Sequence, residues 1–337
     1  MKMTVRTYGI HLRHTFTIAR GSVDAKQVAV VLLEHDGIVG YGEASPTSRY
    51  GETIDTVEAF LARVRVEQFN DPFQRESILS SVESVAEGNY SAKAALDIAL
   101  HDWIGKKLGI PLYKFWGLDK SRVPRSSFTI GIDDPRVLAQ KVEEAGQFPI
   151  FKVKLGTDDD RKIMSTIRKT TDKILRVDAN EGWKNKETAL ERIKWLEQEG
   201  VELVEQPLPA SDLEGARWLR ERINVPIFAD ESCVRHNDVP LVQHAYDGIN
   251  IKLMKCTGLR EALSMIHTAR ACAMKVMLGC MIETSVAITA AAHLSPLVDY
   301  ADLDGNILIA DDPFVGVTAN GGKLDLPDRP GLGITER

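Results

Sequence analysis

The sequence predicts a β/α barrel preceded by a separate α+β region, on three observations. Through the last two thirds of the chain, short apolar strands alternate with charged amphipathic stretches, the texture of repeated βα units around a parallel sheet. The charged residues that close the middle strands, Lys154, Asp178, Glu205, Asp230 and Lys252, recur at intervals of 22–27 residues, room for one strand, one helix and two loops. Before residue 120 the order is different, with sheet first and helices after. An open doubly wound sheet would also alternate, but no Gly-rich phosphate loop follows its first strand and six or seven units exceed what that fold usually spends.

Each element follows from local pattern. The run VAVVLLEHDGIVGYGE, residues 28–43, places two β-branched stretches around His35-Asp36-Gly37, which is hairpin chemistry. Residues 56–66 and 91–107 repeat Ala, Leu and charge at spacings of three and four, so amphipathic helices are expected there, the second stopped by Gly109-Ile110-Pro111. Barrel strands are expected at 127–131, 150–155, 174–178, 201–205, 227–230, 248–252 and 276–279, with an eighth through 299–304.

Composition removes several classes of function. A chain of 337 residues, 44% hydrophobic and 27% charged, has material for a large core and is not disordered. Its 42 Lys and Arg against 48 Asp and Glu leave a net charge of −6, the wrong sign for a phosphate-backbone partner. No apolar run approaches the roughly 18 residues of a membrane span, and Met1-Lys2-Met3-Thr4-Val5-Arg6 opens no signal peptide, so a cytoplasmic protein is expected. Cys233, Cys256, Cys272 and Cys280 show no CxxC spacing, so neither a zinc knuckle nor a disulfide frame is expected.

In a β/α barrel the strand C-termini carry the active site. A lone carboxylate at such a place is usually a helix cap or a loop ion pair, but here the charged strand ends come in succession. Asp178, Glu205 and Asp230 would converge on one side of the barrel mouth and repel one another strongly unless a divalent cation joins them. An all-oxygen set favours Mg²⁺ or Mn²⁺ over zinc. The alternative is that each carboxylate pairs with a lysine and no metal binds. Lys152 and Lys154, two apart, share a strand face, and Lys252 approaches from four strands further round. A lysine beside another ammonium and a divalent cation has its pKa pushed down, so two facing lysines could handle a proton on either face of one carbon.

The set KVK, VDAN, EQP, ADES and IKL, in that order, resembles the muconate lactonizing subgroup of the enolase superfamily. So do YGEASP and the segment AKAALDIALHDWIGKKLGIPLYKFWG, residues 92–117. The resemblance implies a modified TIM barrel, (β/α)7β, with an N-terminal α+β capping domain over residues 1–120, the barrel over 121–310 and a C-terminal tail, 311–337, returning to the cap. It implies one Mg²⁺ per subunit on Asp178, Glu205 and Asp230, and Lys154 and Lys252 as the acid–base pair for a proton α to a carboxylate. The DxD of Asp302 and Asp304 resembles that of dipeptide epimerases, in which two aspartates grip the substrate's ammonium; taken alone, Asp302 could cap a helix and Asp304 belong to an Asp-Gly turn.

By the same resemblance Thr129, Lys152 and Cys280 contact substrate. A nucleophilic role for Cys280 lacks a neighbouring base. Arg20, in FTIARG, matches an arginine that pairs with the glutamate side chain in members acting on Ala-Glu, against the bland fate of a solvated surface arginine. Glu283 is expected near the lysines. The implied activity is that of an isomerase, an L-Ala-D/L-Glu epimerase serving murein peptide metabolism, with a small dipeptide as partner. N-acylamino acid racemase and o-succinylbenzoate synthase use the same lysines and ligands but have no ammonium for Asp302 and Asp304. Outside the superfamily stand a non-catalytic metal-stabilised barrel and a Schiff-base lyase using either lysine. Whether the chain forms a homo-oligomer is left open.

Overall fold

The computed structural model describes residues 1–337. It opens on an antiparallel sheet of β1 (Lys2–Ile18), β2 (Gly21–His35) and β3 (Ile38–Ala44). The β2–β3 hairpin turns where the sequence places it, because Asp36 and Gly37 take φ of 50° and 73°, the left-handed pair that a two-residue turn demands. β1, whose apolar residues alternate with one change of phase at Arg6-Thr7, pairs with β2 along almost its whole length, and the register slips between His11 and Phe16. Beyond that slip the hairpin reaches over the barrel.

Three helices follow, Ile54–Leu61, Arg75–Glu83 and Tyr90–Leu108. The last corrects an expectation. It is buried on every side from Ser91 to Gly105 rather than amphipathic, because it is clamped between the sheet and the barrel. On the sheet side Gly40 and Gly42 let strand backbone lie directly on the helix backbone at Ala99 and Ala95. On the barrel side Asp97 Oδ2 accepts the backbone N–H groups of Leu259 and Arg260, the first turn of the barrel helix Leu259–Ala271. Gly109, at φ 71°, ends the helix as the sequence indicates.

The barrel strands are β4 (Phe128–Ile130), β5 (Ile150–Lys154), β6 (Ile174–Asp178), β7 (Val204–Glu205), β8 (Ile227–Ala229), β9 (Gly248–Ile251), β10 (Lys275–Gly279) and β11 (Tyr300–Asp302). They pair in parallel and in chain order. The ring closes where Ser127 N donates to Ala301 O at 3.1 Å. All seven barrel strands expected upstream of the DxD are present, and each ends within two residues of the expected position. No helix is long and apolar enough to cross a membrane.

Asp102 ties three distant segments together. Buried in the long helix, it accepts Tyr41 N at 2.8 Å, Leu332 N at 2.7 Å and the Lys106 ammonium at 2.7 Å, so β3 and the chain's last residues meet on one carboxylate. Leu112 N donates to Gly331 O alongside.

The approach of β3 to the long helix sets a stability test. Gly42→Ala puts a methyl group against the Ala95 carbonyl and the Ala99 amide, neither of which can swing aside. The substitution is expected to cost about 1–3 kcal/mol, read as a lower urea midpoint. Gly9→Ala, whose new methyl meets nothing, is expected to change stability by less than about 0.5 kcal/mol.

Candidate active site

The C-terminal ends of the barrel strands surround a cavity of about 140 Å³, roofed by the β1–β2 hairpin. Alternation along β5 sends Lys152 and Lys154 to the same face, and both ammonium groups reach Asp178 Oδ2, at 3.1 and 2.7 Å. Lys152 also lies 2.8 Å from Glu205 Oε2 and 2.8 Å from Asp302 Oδ2. Lys252, just beyond β9, donates to Asp230 Oδ2 at 2.7 Å. β5 and β9 are four strands apart in a ring of eight, so Lys154 and Lys252 enter the cavity from opposite walls.

Asp178, Glu205 and Asp230 each offer one oxygen such that all three lie within 4.8 Å of one another, fully buried at the ends of β6, β7 and β8. Three buried carboxylates this close raise one another's proton affinity, and burial followed by Asp178 pushes Glu205 above the usual carboxylate range. Glu205 Oε2 accepts no hydrogen bond, because the neighbouring Lys152 ammonium is close without being aligned. An all-oxygen triad with an unbonded inward oxygen fits a hard divalent cation.

Lys152 and Lys252 do not carry the lowered pKa expected from sequence. Burial alone would lower Lys252, but Asp230 and Glu205 outweigh it and hold the ammonium above its ordinary value. Lys152 is raised in the same sense, burial being overcome by Asp302, Glu205 and Asp178. The expectation presupposed the carboxylates engaged by a metal; here they face the lysines instead.

Several supporting residues escaped the sequence reading. Lys255, fully buried, donates to Asp230 Oδ1 and to the carbonyls of Asp230, Cys233 and Asn250. Asn250, two residues before Lys252 on the same strand face, donates to Glu205 Oε1 at 2.8 Å. Gln206 takes the uncommon φ of 37°; its side chain accepts Asp230 N and Ser232 N and donates to Leu208 O, Ser232 Oγ and Tyr246 Oη. It locks the ends of β7 and β8 together. Gly156, at φ 99°, follows Lys154 where any side chain would strike the Ala179 carbonyl. Only the motif spacing could have pointed to these residues.

On the β11 side, Asp302 ends the strand and accepts Ser127 Oγ at 2.6 Å and the Lys152 ammonium. Asp304 lies beyond the strand, at the start of the short helix Gly305–Leu308, and accepts Thr129 N at 2.6 Å. The two do not share a strand face as expected, yet both line the cavity. Burial, then Asp302, lifts Asp304 to about 7. Cys280 donates its thiol toward Asp302 O at 3.3 Å, and burial followed by Asp304 holds it protonated. That is the opposite of an activated nucleophile. Glu283 does not bond a lysine: it accepts Met281 N at 2.8 Å, with burial and Glu43 raising it to about 8.

Arg20, on the hairpin turn, lines the cavity, and its Nη1 lies 2.7 Å from Glu231 Oε1, 3.2 Å from Glu181 Oε2 and 2.9 Å from Asn180 O. Arg49 clamps the other side of Glu181 with two bonds of 2.8 and 2.9 Å. Lys26 of β2 was not singled out from sequence. It is partly buried, faces the same cavity, and burial lowers it to about 8 against the pull of Glu283 and Glu43.

Family comparison bears on this geometry. Residues 1–117 match the N-terminal domain of the mandelate racemase/muconate lactonizing enzyme family, and residues 135–337 match its enolase C-terminal domain-like partner. The chain belongs to this family of the enolase superfamily. A family relative, the L-Ala-D/L-Glu epimerase of Bacteroides thetaiotaomicron, is 51% identical over 335 residues, 99% of this chain and 88% of that protein. A substrate-liganded complex of the L-Ala-D/L-Glu epimerase from Bacillus subtilis superposes with a TM-score of 0.94 at 33% identity, covering 100% of this chain and 98% of that one. The dipeptide epimerase of Enterococcus faecalis complexed with Mg and L-Leu-L-Tyr gives 0.91 at 36%, covering 99% of each. The acidic triad of this mandelate racemase/muconate lactonizing enzyme family member could hold the same kind of ion.

Metal binding is measurable without turnover. Mg²⁺ at about a hundred times its Kd is expected to stabilise the fold by about 2.7 kcal/mol, seen as a rise in thermal midpoint that EDTA reverses. Glu205→Gln is expected to abolish the rise. An equal rise in parent and variant would place the ion elsewhere.

Proposed function

We propose that this chain is a Mg²⁺-dependent dipeptide epimerase that inverts the α-carbon of the C-terminal residue, with L-Ala-D/L-Glu as its substrate and murein-derived peptides as the source. The observation that carries the reading is Lys154 and Lys252 on opposite walls of one cavity, with the carboxylate triad between them and Asp302 and Asp304 to one side.

Asp178, Glu205 and Asp230 would hold the cation. Bound there, it supplies positive charge that favours ionisation α to the substrate's carboxylate. The remaining work falls to side chains. One lysine, as the free amine, takes the α-proton; the C–H electron pair stays on carbon and spreads into the carboxylate. The facing lysine, as ammonium, returns a proton to the opposite face, so configuration inverts and the two lysines exchange protonation states. Lys152, already bonded to Asp302 and close to Glu205, adds positive charge beside the developing anion.

Asp302 and Asp304 favour a substrate with a free ammonium over N-acyl or succinyl substrates. Thr129 and Cys280 border that corner; Thr129 N fixes Asp304 and the protonated thiol of Cys280 contributes contact, not chemistry. The hairpin with Arg20 closes the roof and keeps water from the reacting carbon.

A dipeptide panel in D₂O tests the reading. Epimerisation with α-deuterium incorporation is expected, greatest for L-Ala-L-Glu and L-Ala-D-Glu. Lys154→Ala and Lys252→Ala are each expected to lower net epimerisation by about 10²–10⁴ while the Mg²⁺-loaded variants stay folded. No exchange with any dipeptide would sink the assignment.

The ammonium site has its own pH signature. Asp304 titrates near 7 in the free protein, so below that pH it is neutral and attracts the dipeptide ammonium less. Affinity for a dipeptide ending in α-aminoisobutyrate, which has no α-hydrogen and cannot react, is expected to weaken as pH falls from 8 to 6. In Asp304→Asn it is expected to be weak throughout and flat over that range. Calorimetric titration reads both.

A further inference from the structure

The two lysines of the proposed pair are not held alike. Lys154 is the last residue of β5 and still in register with Asp178 of β6. Lys252 stands outside β9 and opens a short helix, Leu253–Cys256, in which Lys255 N and Cys256 N donate to its carbonyl at 2.9 and 3.1 Å. That helix runs into a reversal, Thr257 at φ 68° and Gly258 at φ 109°, and then into the helix Leu259–Ala271. From Lys252 to Gly258 the chain makes no strand pairing, so something else must fix the far end of this segment.

Asp97 of the cap's long helix does so. Its Oδ2 accepts Leu259 N and, at 3.2 Å, Arg260 N, and it lies so close to Gly258 that a methyl group on that residue would strike it. The carboxylate is buried, and a ring of bonds across the seam between cap and barrel fixes where it points. Arg260 Nη1 donates to Glu76 Oε2 at 3.0 Å, and Arg75 donates to Glu76 Oε1. Arg75 Nη1 also donates to His101 Nε2 at 2.9 Å, which leaves His101 Nδ1 to donate to the Asp97 carbonyl at 2.8 Å. The short helix packs against the long helix along the same seam, and the sulfur of its Met254 accepts Ser45 N at 3.2 Å. A displacement of Gly258 is therefore carried back to Lys252 through a single helical turn.

We infer that Asp97 is a positioning residue for Lys252: through this one carboxylate the cap sets the reach of one lysine and leaves the other to its strand. This rests on the dipeptide-epimerase reading. A misplacement of about 1 Å costs roughly a hundredfold in rate, and here it falls on one face of the α-carbon. Each lysine can exchange the α-hydrogen of one epimer by itself. As the free amine it takes the proton, the resulting ammonium trades N–H for N–D with solvent, and deuterium returns to the same face with configuration kept. The facing lysine takes no part.

The test follows loss of the α-proton in D₂O separately from L-Ala-L-Glu and L-Ala-D-Glu, in the Mg²⁺-loaded parent, Asp97→Ala, Asp97→Asn, Gly258→Ala and Asp102→Asn, each with its thermal midpoint. Lys154→Ala and Lys252→Ala assign which epimer each lysine serves. In Asp97→Ala and Gly258→Ala, exchange of the epimer served by Lys252 is expected to fall by about tenfold to a hundredfold, while the other stays within about threefold of the parent. Asp97→Asn, which keeps an acceptor oxygen, is expected to show the same skew to a smaller degree, and carries the test with Gly258→Ala if Asp97→Ala does not fold. Asp102→Asn, on the same helix but bonded to Tyr41, Leu332 and Lys106, is expected to lower the midpoint without skew. An equal fall for both epimers in the Asp97 and Gly258 variants overturns the inference, as does an unchanged rate on both or a skew against the epimer served by Lys154. A parent that exchanges neither epimer refutes the activity itself, a result separable from any skew.

Discussion

Everything at the mouth of this barrel answers to one electrostatic constraint: three carboxylates are held within 4.8 Å of one another away from water. Two like charges 4 Å apart repel by about 4 kcal/mol even at an effective dielectric of 20. Such a set survives only if positive charge is brought to it. In this structure the charge comes from Lys152, Lys154 and Lys252 at the open side and from Lys255 behind Asp230. On the proposed mechanism two of these ammonium groups, Lys154 and Lys252, also carry the proton. On that reading part of the counter-charge is the catalytic pair, and the lysines cannot be understood apart from the triad.

Holding that set takes unusual backbone. Asn180, Glu181 and Gln206 all have positive φ, within three residues after Asp178 and Glu205. Each such residue costs about 1–3 kcal/mol, and side-chain hydrogen bonds brace the turns that hold them. Gln206 spends both ends of its amide bracing β7 against β8, and Asn180 N returns to Asp178 Oδ1 at 2.9 Å. The cap is fastened with equal care. Glu43 of β3 accepts Thr284 N and Ala287 N, sitting at the positive end of the helix Ser285–Leu294, and Ser45 Oγ donates to Ile282 O at 2.7 Å. The bonds to Thr284 and Ile282 land on the loop after β10, beside Lys26.

What sequence could show follows from what is local. Strand ends are legible because an apolar run of five residues closed by a charge has one natural place in a β/α barrel, and Lys152, Lys154, Asp178, Glu205, Asp230 and Lys252 all fell where that rule put them. Asp302 and Asp304 were read as a same-face pair on one strand, but β11 stops at Asp302; the two converge through the turn after it. Lys255 lay hidden because a lysine three residues past a strand end looks like a solvated helix residue until its helix is seen to tuck beneath Asp230. The long helix was misread for a related reason. Its surface carries Lys93, Asp97, His101 and Asp102, which periodicity treats as a wet face, whereas each is buried in the dock between cap and barrel. Lys26 is the extreme case, since nothing in GSVDAKQVAVV distinguishes it until the cap is laid on the barrel.

That last difference separates two kinds of position. Lys154 and Lys252, the pair proposed to act on the α-proton, sit at the ends of hydrogen-bonded barrel strands, so any change to them disturbs the charge balance of the triad as well. Lys26 and Arg20 sit on a two-stranded arm whose pairing slips at His11–Phe16, which lets its far end follow the barrel rim rather than the cap sheet. Side chains there can change charge or size without altering a carboxylate's partners in the triad. A fold built this way keeps its proton chemistry fixed while the roof is free to vary.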